Sequence, residues 1–387
     1  MKRFDVTIIG SGLAGLQCAR LLARGGATVL LADRKADLTK GVHTTGIFVR
    51  KTFEDFDFPA GTLGRPIKDV VLYSPKLKPL ELKSPHDEFR VGRMGELYKC
   101  FLHECVASGV EFSPSTRFIS IEKLADGSIV TLEKGGERFK VKTDVVVGAD
   151  GASSKVAEAL CLDRNAEWIV GYEEVHASQG GEPALHCYLD AELAPGYLAW
   201  VADDGEEVHV GVGGYAASFD PREALTKFKR KISDADERFT FWAASETRGG
   251  RIPVGGVLKN IANEHGLLVG DAAGAVSPLT AGGLDPCIRL SSFAAQVILR
   301  RLESGNPDEL LSYSGERFRA RFVSRLWMRR AIAMIKSQRI LEWGCRALRT
   351  TIGRKFAAHV FFSRGSFPDA PDWSRGRPAL VSPKGES

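Results

Sequence analysis

Three short stretches carry glycine and aspartate at spacings suited to holding phosphates and sugar hydroxyls. The first reads Gly10-Ser11-Gly12-Leu13-Ala14-Gly15, with Asp33 further on. In this G-x-G-x-x-G pattern Gly10 permits a tight turn, Gly12 lets backbone N–H groups approach a pyrophosphate, and Gly15 lets a helix pack on a strand. Asp33 can accept hydrogen bonds from ribose hydroxyls, and the helix N-terminus attracts the phosphates. The second stretch is Gly148-Ala149-Asp150-Gly151-Ala152-Ser153-Ser154-Lys155. The third is Gly270-Asp271-Ala272-Ala273-Gly274, followed by Gly282-Gly283, where bare backbone can approach a flat ring and the next helix can aim its positive end at it. A nicotinamide enzyme needs the first stretch alone; three point to a longer cofactor.

Strands and helices must hold these residues. Asp5 to Ile9 and Thr28 to Leu31 read as buried parallel strands around a helix from Leu13 to Leu22, with Asp33 at the end of the second strand. The spacing predicts a strand pair at Val70–Tyr73 and Leu80–Lys83, a strand at Glu88–Val91 and a helix over Met94–Ala107 opened by Arg93. Val110–Phe112, Arg117–Glu122, Ile129–Glu133 and Glu137–Lys142 read as a small sheet of hairpins, with Val145–Val147 a separate buried strand. Alternation returns at Tyr172–Ala177, Ala184–Leu189, Tyr197–Ala202 and Glu207–Val212, one sheet together with the strands near 70 to 90. A basic helix is expected over Pro221–Ile232, a buried strand over Gly266–Val269 and an apolar helix over Gly283–Leu302. Residues 306 to 358 read as helical, and between Glu316 and Lys355 twelve Lys or Arg face two Glu.

The chain has 387 residues, 44% apolar and 26% charged, with a net charge of +5, which suits a two-domain globular enzyme. Seven scattered cysteines without C-x-x-C favour reduced thiols, and no metal-ligand spacing appears. The first strand starts too early to leave room for a signal peptide, and no apolar run is long enough to span a membrane. A cytoplasmic location is expected, with membrane association on the cytoplasmic face through the basic helices as an added expectation.

Three such motifs resemble the FAD-dependent oxidoreductases that include p-hydroxybenzoate hydroxylase. That resemblance implies an α/β fold: a Rossmann-like FAD-binding domain, an inserted antiparallel-sheet substrate domain and a helical C-terminal region. The expected boundaries are 1–60, 90–165 and 260–305 for the first, 61–89 and 166–259 for the second, 306–362 for the third, and a flexible tail over 363–387. It implies Asp271 on a ribityl hydroxyl, Asp150 ordering the pyrophosphate side and Arg93 reaching the phosphates. The cofactor contacts it implies are Gly10, Gly12, Ala14, Gly15, Asp33, Arg34, Thr45, Arg93, Asp150, Gly151, Gly270, Asp271, Gly282, Gly283 and Leu284.

Within that group the chain resembles the geranylgeranyl reductase family. Gly270-Asp271-Ala272-Ala273-Gly274 continues to Pro278-Leu279-Thr280 and Gly282-Gly283-Leu284 as in that family, and Gly274 stands where aromatic hydroxylases have His. Pro195-Gly196-Tyr197-Leu198-Ala199-Trp200 precedes Val210-Gly211-Val212-Gly213, and Gly249-Gly250-Arg251-Ile252-Pro253 also matches. Ala202 replaces a proline, His43-Thr44-Thr45 stands where several members have a cysteine, and Asp285-Pro286 is unusual. The resemblance implies FAD reduced by NAD(P)H or another donor, then hydride transfer to a double bond of an isoprenoid or similar apolar molecule. His43 is the candidate proton donor, and Trp200, Thr280 and Asp285 are candidates to line the substrate cavity. The alternatives are an FAD monooxygenase of an aromatic or polyketide-like substrate, a flavin-dependent halogenase (although W-x-W-x-I-P is absent) and a non-enzymatic flavin-binding protein. No recognition fold for nucleic acid accompanies the basic stretch.

Overall fold

A computed structural model describes residues 1–363. The expected tail therefore lies, but for Ser363, outside the described residues. In chain order the first part holds β1 (Lys2–Ile9), α1 (Leu13–Arg24), β2 (Val29–Ala32), β3 (Ile47–Val49), α2 (Arg50–Asp55), β4 (Leu63–Ile67), β5 (Asp69–Tyr73), β6 (Pro79–Lys83), β7 (Phe89–Gly92) and α3 (Met94–Ala107). The middle holds β8 (Glu111–Ser113), β9 (Thr116–Leu124), β10 (Gly127–Lys134), β11 (Glu137–Gly148), α4 (Lys155–Leu160), β12 (Trp168–Ala177), β13 (Ala184–Tyr188), β14 (Ala199–Asp203), β15 (Glu207–Gly214) and α5 (Pro221–Ser233). The last part holds β16 (Glu246–Pro253), β17 (Ala262–Asn263), β18 (Gly266–Leu268), α6 (Leu284–Ser304), α7 (Glu316–Arg319), α8 (Val323–Ala333), α9 (Gln338–Leu348) and α10 (Thr351–Phe362).

The first sheet runs β17-β18-β11-β1-β2-β8, and β18, β11, β1, β2 and β8 are mutually parallel. Its β-branched interior strands and the apolar stripes of α1, α3 and α6 form the largest core, with Val6, Ile8, Leu16, Leu22, Leu97 and Ile298 sealed from solvent. The second sheet runs β16-β12-β15-β14-β13-β5-β6 and is antiparallel except where β13 meets β5. Strand alternation gives it two faces. Ala199, Val201, Val210 and Val212 pack beneath Leu225 and Phe228 of α5, while Leu72, Cys187 and Ala202 look the other way.

Several expectations are corrected. Glu137–Lys142 and Val145–Val147 are one strand: β11 pairs with β10 over its first half, then takes β18 on that same side beyond Val145. The segment at Val110–Phe112 does not join the hairpins; β8 extends the parallel sheet beside β2. The strand near Glu88–Val91 leaves the second sheet, because β7 is sandwiched between β3 and β4 in a sheet of its own. β16 and β4 were not foreseen. Residues 306–358 form short helices broken at Ser337 and Thr350, both of which stand just before a new helix with extended backbone.

Candidate active site

The carboxyl ends of β1, β11 and β18 lie side by side, and each opens into one of the three glycine-aspartate turns. Main-chain bonds lock them together. Ala149 N donates to Ile9 O (2.8 Å), Val269 N to Gly148 O (2.9 Å) and Gly10 N to Ala32 O (2.8 Å). The turns nest because they lack side chains: a Cβ on Gly10 would collide with the Ala149 carbonyl, one on Gly15 with the Gly10 carbonyl, and one on Gly270 would sit 2.7 Å from the Ala14 Cβ. Asn165, absent from the expected contacts, joins the second and third turns by donating to Ala152 O (3.1 Å) and Asp271 O (2.8 Å).

Other features of this edge serve no protein partner. Gly12 caps α1 without a side-chain bond, and a Cβ built there meets nothing within 4 Å. The fold does not demand glycine at that point, yet the open space faces the unpaired N–H groups of a helix start. The Asp271 carboxylate has no hydrogen-bond donor among the described residues, and burial pushes it up to about 6. A carboxylate in that position calls for a hydroxyl donor from a ligand. Gly283 precedes α6 with no side-chain cap, and a Cβ on it would stand 3.6 Å from Asp271 Oδ1. A bare backbone, an acceptor for a sugar hydroxyl and the positive end of a long helix thus converge. Gly274 has φ +68°, and a Cβ there would press on the Gly256 carbonyl, which disfavours a histidine at that position.

The remaining expected contacts divide. Asp33 accepts from Ser11 N (2.6 Å), Ser11 Oγ (2.7 Å) and Lys35 N (2.7 Å), so it braces the Gly10–Gly15 turn from β2. Arg34 is exposed and lines a polar cavity of about 260 Å³ with Ser115, Arg117, Glu133, Gly135 and Gly136. Asp150 turns away from the crevice: it accepts from Ser154 Oγ (2.6 Å), Lys155 N (2.7 Å) and Val156 N (3.2 Å) and so secures the first turn of α4, while Gly151 at φ +83° leaves open space. Burial raises the Asp150 carboxyl, and those bonds oppose the rise.

Arg93 has partners of its own. Its guanidinium is held by Asp204 (2.6 Å), Glu206 (2.8 Å) and Glu207 (3.0 Å) at the β14–β15 turn, so a phosphate would have to displace three carboxylates. Burial alone would lower its pKa, but the hydrogen bonds to Asp204 and Glu206 outweigh that and raise it. Asp285 has partners too. Its buried carboxylate accepts from Thr52 Oγ1 (2.9 Å) and Arg289 Nε (2.9 Å), and Arg289 also reaches Asp55 (2.8 Å), so the group ties α6 to α2 instead of lining a cavity. His43 is exposed, with Nδ1 2.9 Å from Gly249 O.

Thr280 and Trp200 meet a site the sequence did not disclose. Tyr197 Oη donates to Thr280 O (2.6 Å), and its ring stands edge-on to Trp200 at 6.5 Å. One register row of the second sheet then reads Arg248, Glu173, Gly211, Trp200. Because Gly211 has no side chain, the Trp200 indole lies across β15 and donates from Nε1 to Glu173 Oε2 (3.2 Å); a Cβ on Gly211 would collide with that ring. Gly213 makes the same room for Tyr197. Thr45 Oγ1 also donates to Glu173 Oε2. Glu173 is 3% and His209 0% exposed, and Arg248 donates to Thr44 O (3.0 Å). Only strand alternation hinted at them, since it puts Glu173 and His209 on one face.

A family model described as "FAD binding domain" matches residues 3–328. The chain belongs to the FAD-binding domain family. This flavoprotein is 26% identical over 347 residues to the digeranylgeranylglycerophospholipid reductase of Methanocaldococcus jannaschii, covering 88% of the chain and 87% of that protein. Its fold is that of a geranylgeranyl bacteriochlorophyll reductase-like protein from Thermoplasma acidophilum, with a TM-score of 0.82, 20% identity, and 94% and 98% of the two chains covered. The flavin-dependent monooxygenase PieE, solved with FAD and substrate, shares the fold at a TM-score of 0.68 and 18% identity, over 93% of this chain and 71% of that one. The expected FAD-dependent oxidoreductase is borne out, and the relatives it resembles are named as geranylgeranyl-type reductases.

Proposed function

We propose that this flavoprotein reduces carbon–carbon double bonds of an isoprenoid chain. The observation that carries the reading is the junction of two sites. The Tyr197–Trp200 aromatic wall is bonded to Thr280, in the loop that leads into α6 and returns to Asp271. An apolar chain laid on that wall would sit beside whatever the crevice holds. The residues present fit FAD: the start of α1 at Gly12 for the pyrophosphate, Asp271 for a ribityl hydroxyl, and Gly282 to Leu284 for the ring. Bound there, FAD supplies hydride once NAD(P)H or another donor has reduced it. The positive end of α6 favours negative charge on the ring, and so its reduced state.

The partner surface of this reading is an anionic membrane. Of thirteen exposed large apolar side chains among the described residues, seven fall between Val323 and Phe356. They include Trp327 and Trp343, each under an arginine, Arg330 at 5.8 Å and Arg346 at 5.3 Å. Apolar groups interleaved with cations suit the headgroup region of a bilayer, from which a lipid-borne chain could be drawn. No helix among the described residues is long and apolar enough to cross a membrane. Flotation with vesicles is expected to recover the protein with anionic lipid and not with zwitterionic lipid.

The reductase reading is tested by product mass. Under argon, with dithionite as donor, a lipid bearing geranylgeranyl chains should gain two hydrogens per double bond. A substrate that instead gains oxygen in air, with no reaction under argon, would replace this reading with a monooxygenase.

A further inference from the structure

Reducing a double bond takes a hydride and a proton. The buried charged row beneath Trp200 does not serve the Gly12–Asp271 cradle. We propose that Glu207, His209, Glu173 and Thr45 form a relay that carries a proton from solvent to the substrate carbon, a role that rests on the reductase reading above.

The four groups are ordered from surface to interior. The Glu207 side chain is 37% exposed, and its Oε2 stands 3.5 Å from Nε2 of the fully buried His209. His209 Nδ1 is 3.4 Å from Glu173 Oε1, and the other oxygen of Glu173 takes the Thr45 hydroxyl and the Trp200 indole N–H. Thr45 thus shares one carboxylate oxygen with the aromatic wall. The charges around the line are accounted for. Arg248 of β16 lies 3.8 Å from Glu173 and is itself paired with Glu246 (2.7 Å), and Arg93 at the start of α3 lies 3.0 Å from Glu207.

Structure alone does not call for this row. Its continuation across the same sheet is Cys187, Leu72 and Leu80, and burying charge there costs more than burying carbon. Burial by itself would lower the His209 pKa, but the carboxylates of Glu173 and then Glu207 beside its ring outweigh it and raise it. His209 therefore keeps its proton to higher pH than an ordinary histidine.

The balance is one proton per double bond. The hydride makes one C–H bond with its own electron pair. The π pair makes the second with the proton of Thr45 Oγ1, which turns from Glu173 Oε2 to the carbon, and that oxygen is then reprotonated through Glu173. Glu173 is reloaded from His209, and His209 from water reaching Glu207.

The test uses the FAD-loaded protein, reduced under argon and mixed with a geranylgeranyl-chain lipid while the oxidised flavin spectrum returns. Thr45→Val and Glu173→Gln should slow that return by roughly 100-fold, and Glu173→Gln should keep its FAD. Thr45→Ser should restore it. His209→Gln should remove the decline in rate seen as pH rises through the His209 pKa. A second readout needs no turnover: in nitrogen-15 histidine spectra of the oxidised holoprotein, His209 should titrate above an ordinary histidine and drop in Glu173→Gln. Variants that match the wild type in rate and pH profile, or a His209 indifferent to Glu173→Gln, would overturn the relay alone. A wild-type protein that the lipid cannot reoxidise would overturn the reductase reading beneath it.

Discussion

The two halves of the site are built in opposite ways. At the edge of the parallel sheet, three turns meet through main-chain atoms, and the features that stand out are absences among the described residues: no Cβ on Gly12, no donor on the Asp271 carboxylate, no side-chain cap before α6. On the antiparallel sheet, side chains from β12, β14, β15 and β16 meet loop residue Thr45 in a buried polar row. Backbone sites need few particular side chains. Side-chain sites depend on the identity and protonation of each member. Rigidity in the first half and titratable chemistry in the second are what a hydride donor and a proton donor require.

The contrast is broken most severely by Gly15→Ala. The new Cβ would strike the Gly10 carbonyl, which cannot move without shifting the Ala149 turn. A loss of about 3 kcal/mol or more in denaturant unfolding, or no soluble protein, is expected. Gly12→Ala separates ligand from fold. Its Cβ meets no protein atom, so stability without FAD should change by less than about 0.5 kcal/mol. FAD binding should nonetheless fall by roughly 100-fold, about 2.7 kcal/mol, read as flavin lost on gel filtration. Equal loss of both would mean that the open space at Gly12 is not the phosphate site.

Gly211→Ala probes the other half. It should push the Trp200 indole off Glu173, costing about 1–3 kcal/mol and shifting tryptophan fluorescence, while FAD stays bound. The smallest effect is a pH dependence. Burial holds Asp271 up at about 6 against an ordinary 3.8, so in the FAD-free protein its contribution to stability is present below 3.8 and is lost as pH rises through about 6. A ribityl hydroxyl donating to Asp271 favours the ionised form. FAD affinity should therefore climb with pH to about 6 and then level off, and Asp271→Asn should flatten that climb in fluorescence titrations.

The same contrast explains what the chain discloses before it is folded. The three turns were legible because each is written in consecutive residues, as was α3, whose apolar spacing runs from Leu97 to Cys105 and whose ends are marked by Arg93 and Gly109. The proton row was not, because Glu173 meets Arg248 and Thr45 through strand register and loop placement that local patterns do not encode. The ion pairs of Arg93 and Asp285 were hidden for the same reason: each residue meets carboxylates or an arginine distant from it or one turn away. The V-G-V-G pair shows the intermediate case, visible in the sequence but explained only once the rings of Trp200 and Tyr197 are seen lying over Gly211 and Gly213.

The most direct measurement mixes the dithionite-reduced, FAD-loaded protein with a geranylgeranyl-chain lipid in the absence of oxygen and records the visible spectrum. The oxidised flavin band should return in step with saturation of the chain. A flavin that stays reduced with every isoprenoid offered, and reoxidises only when air is admitted, would contradict the account.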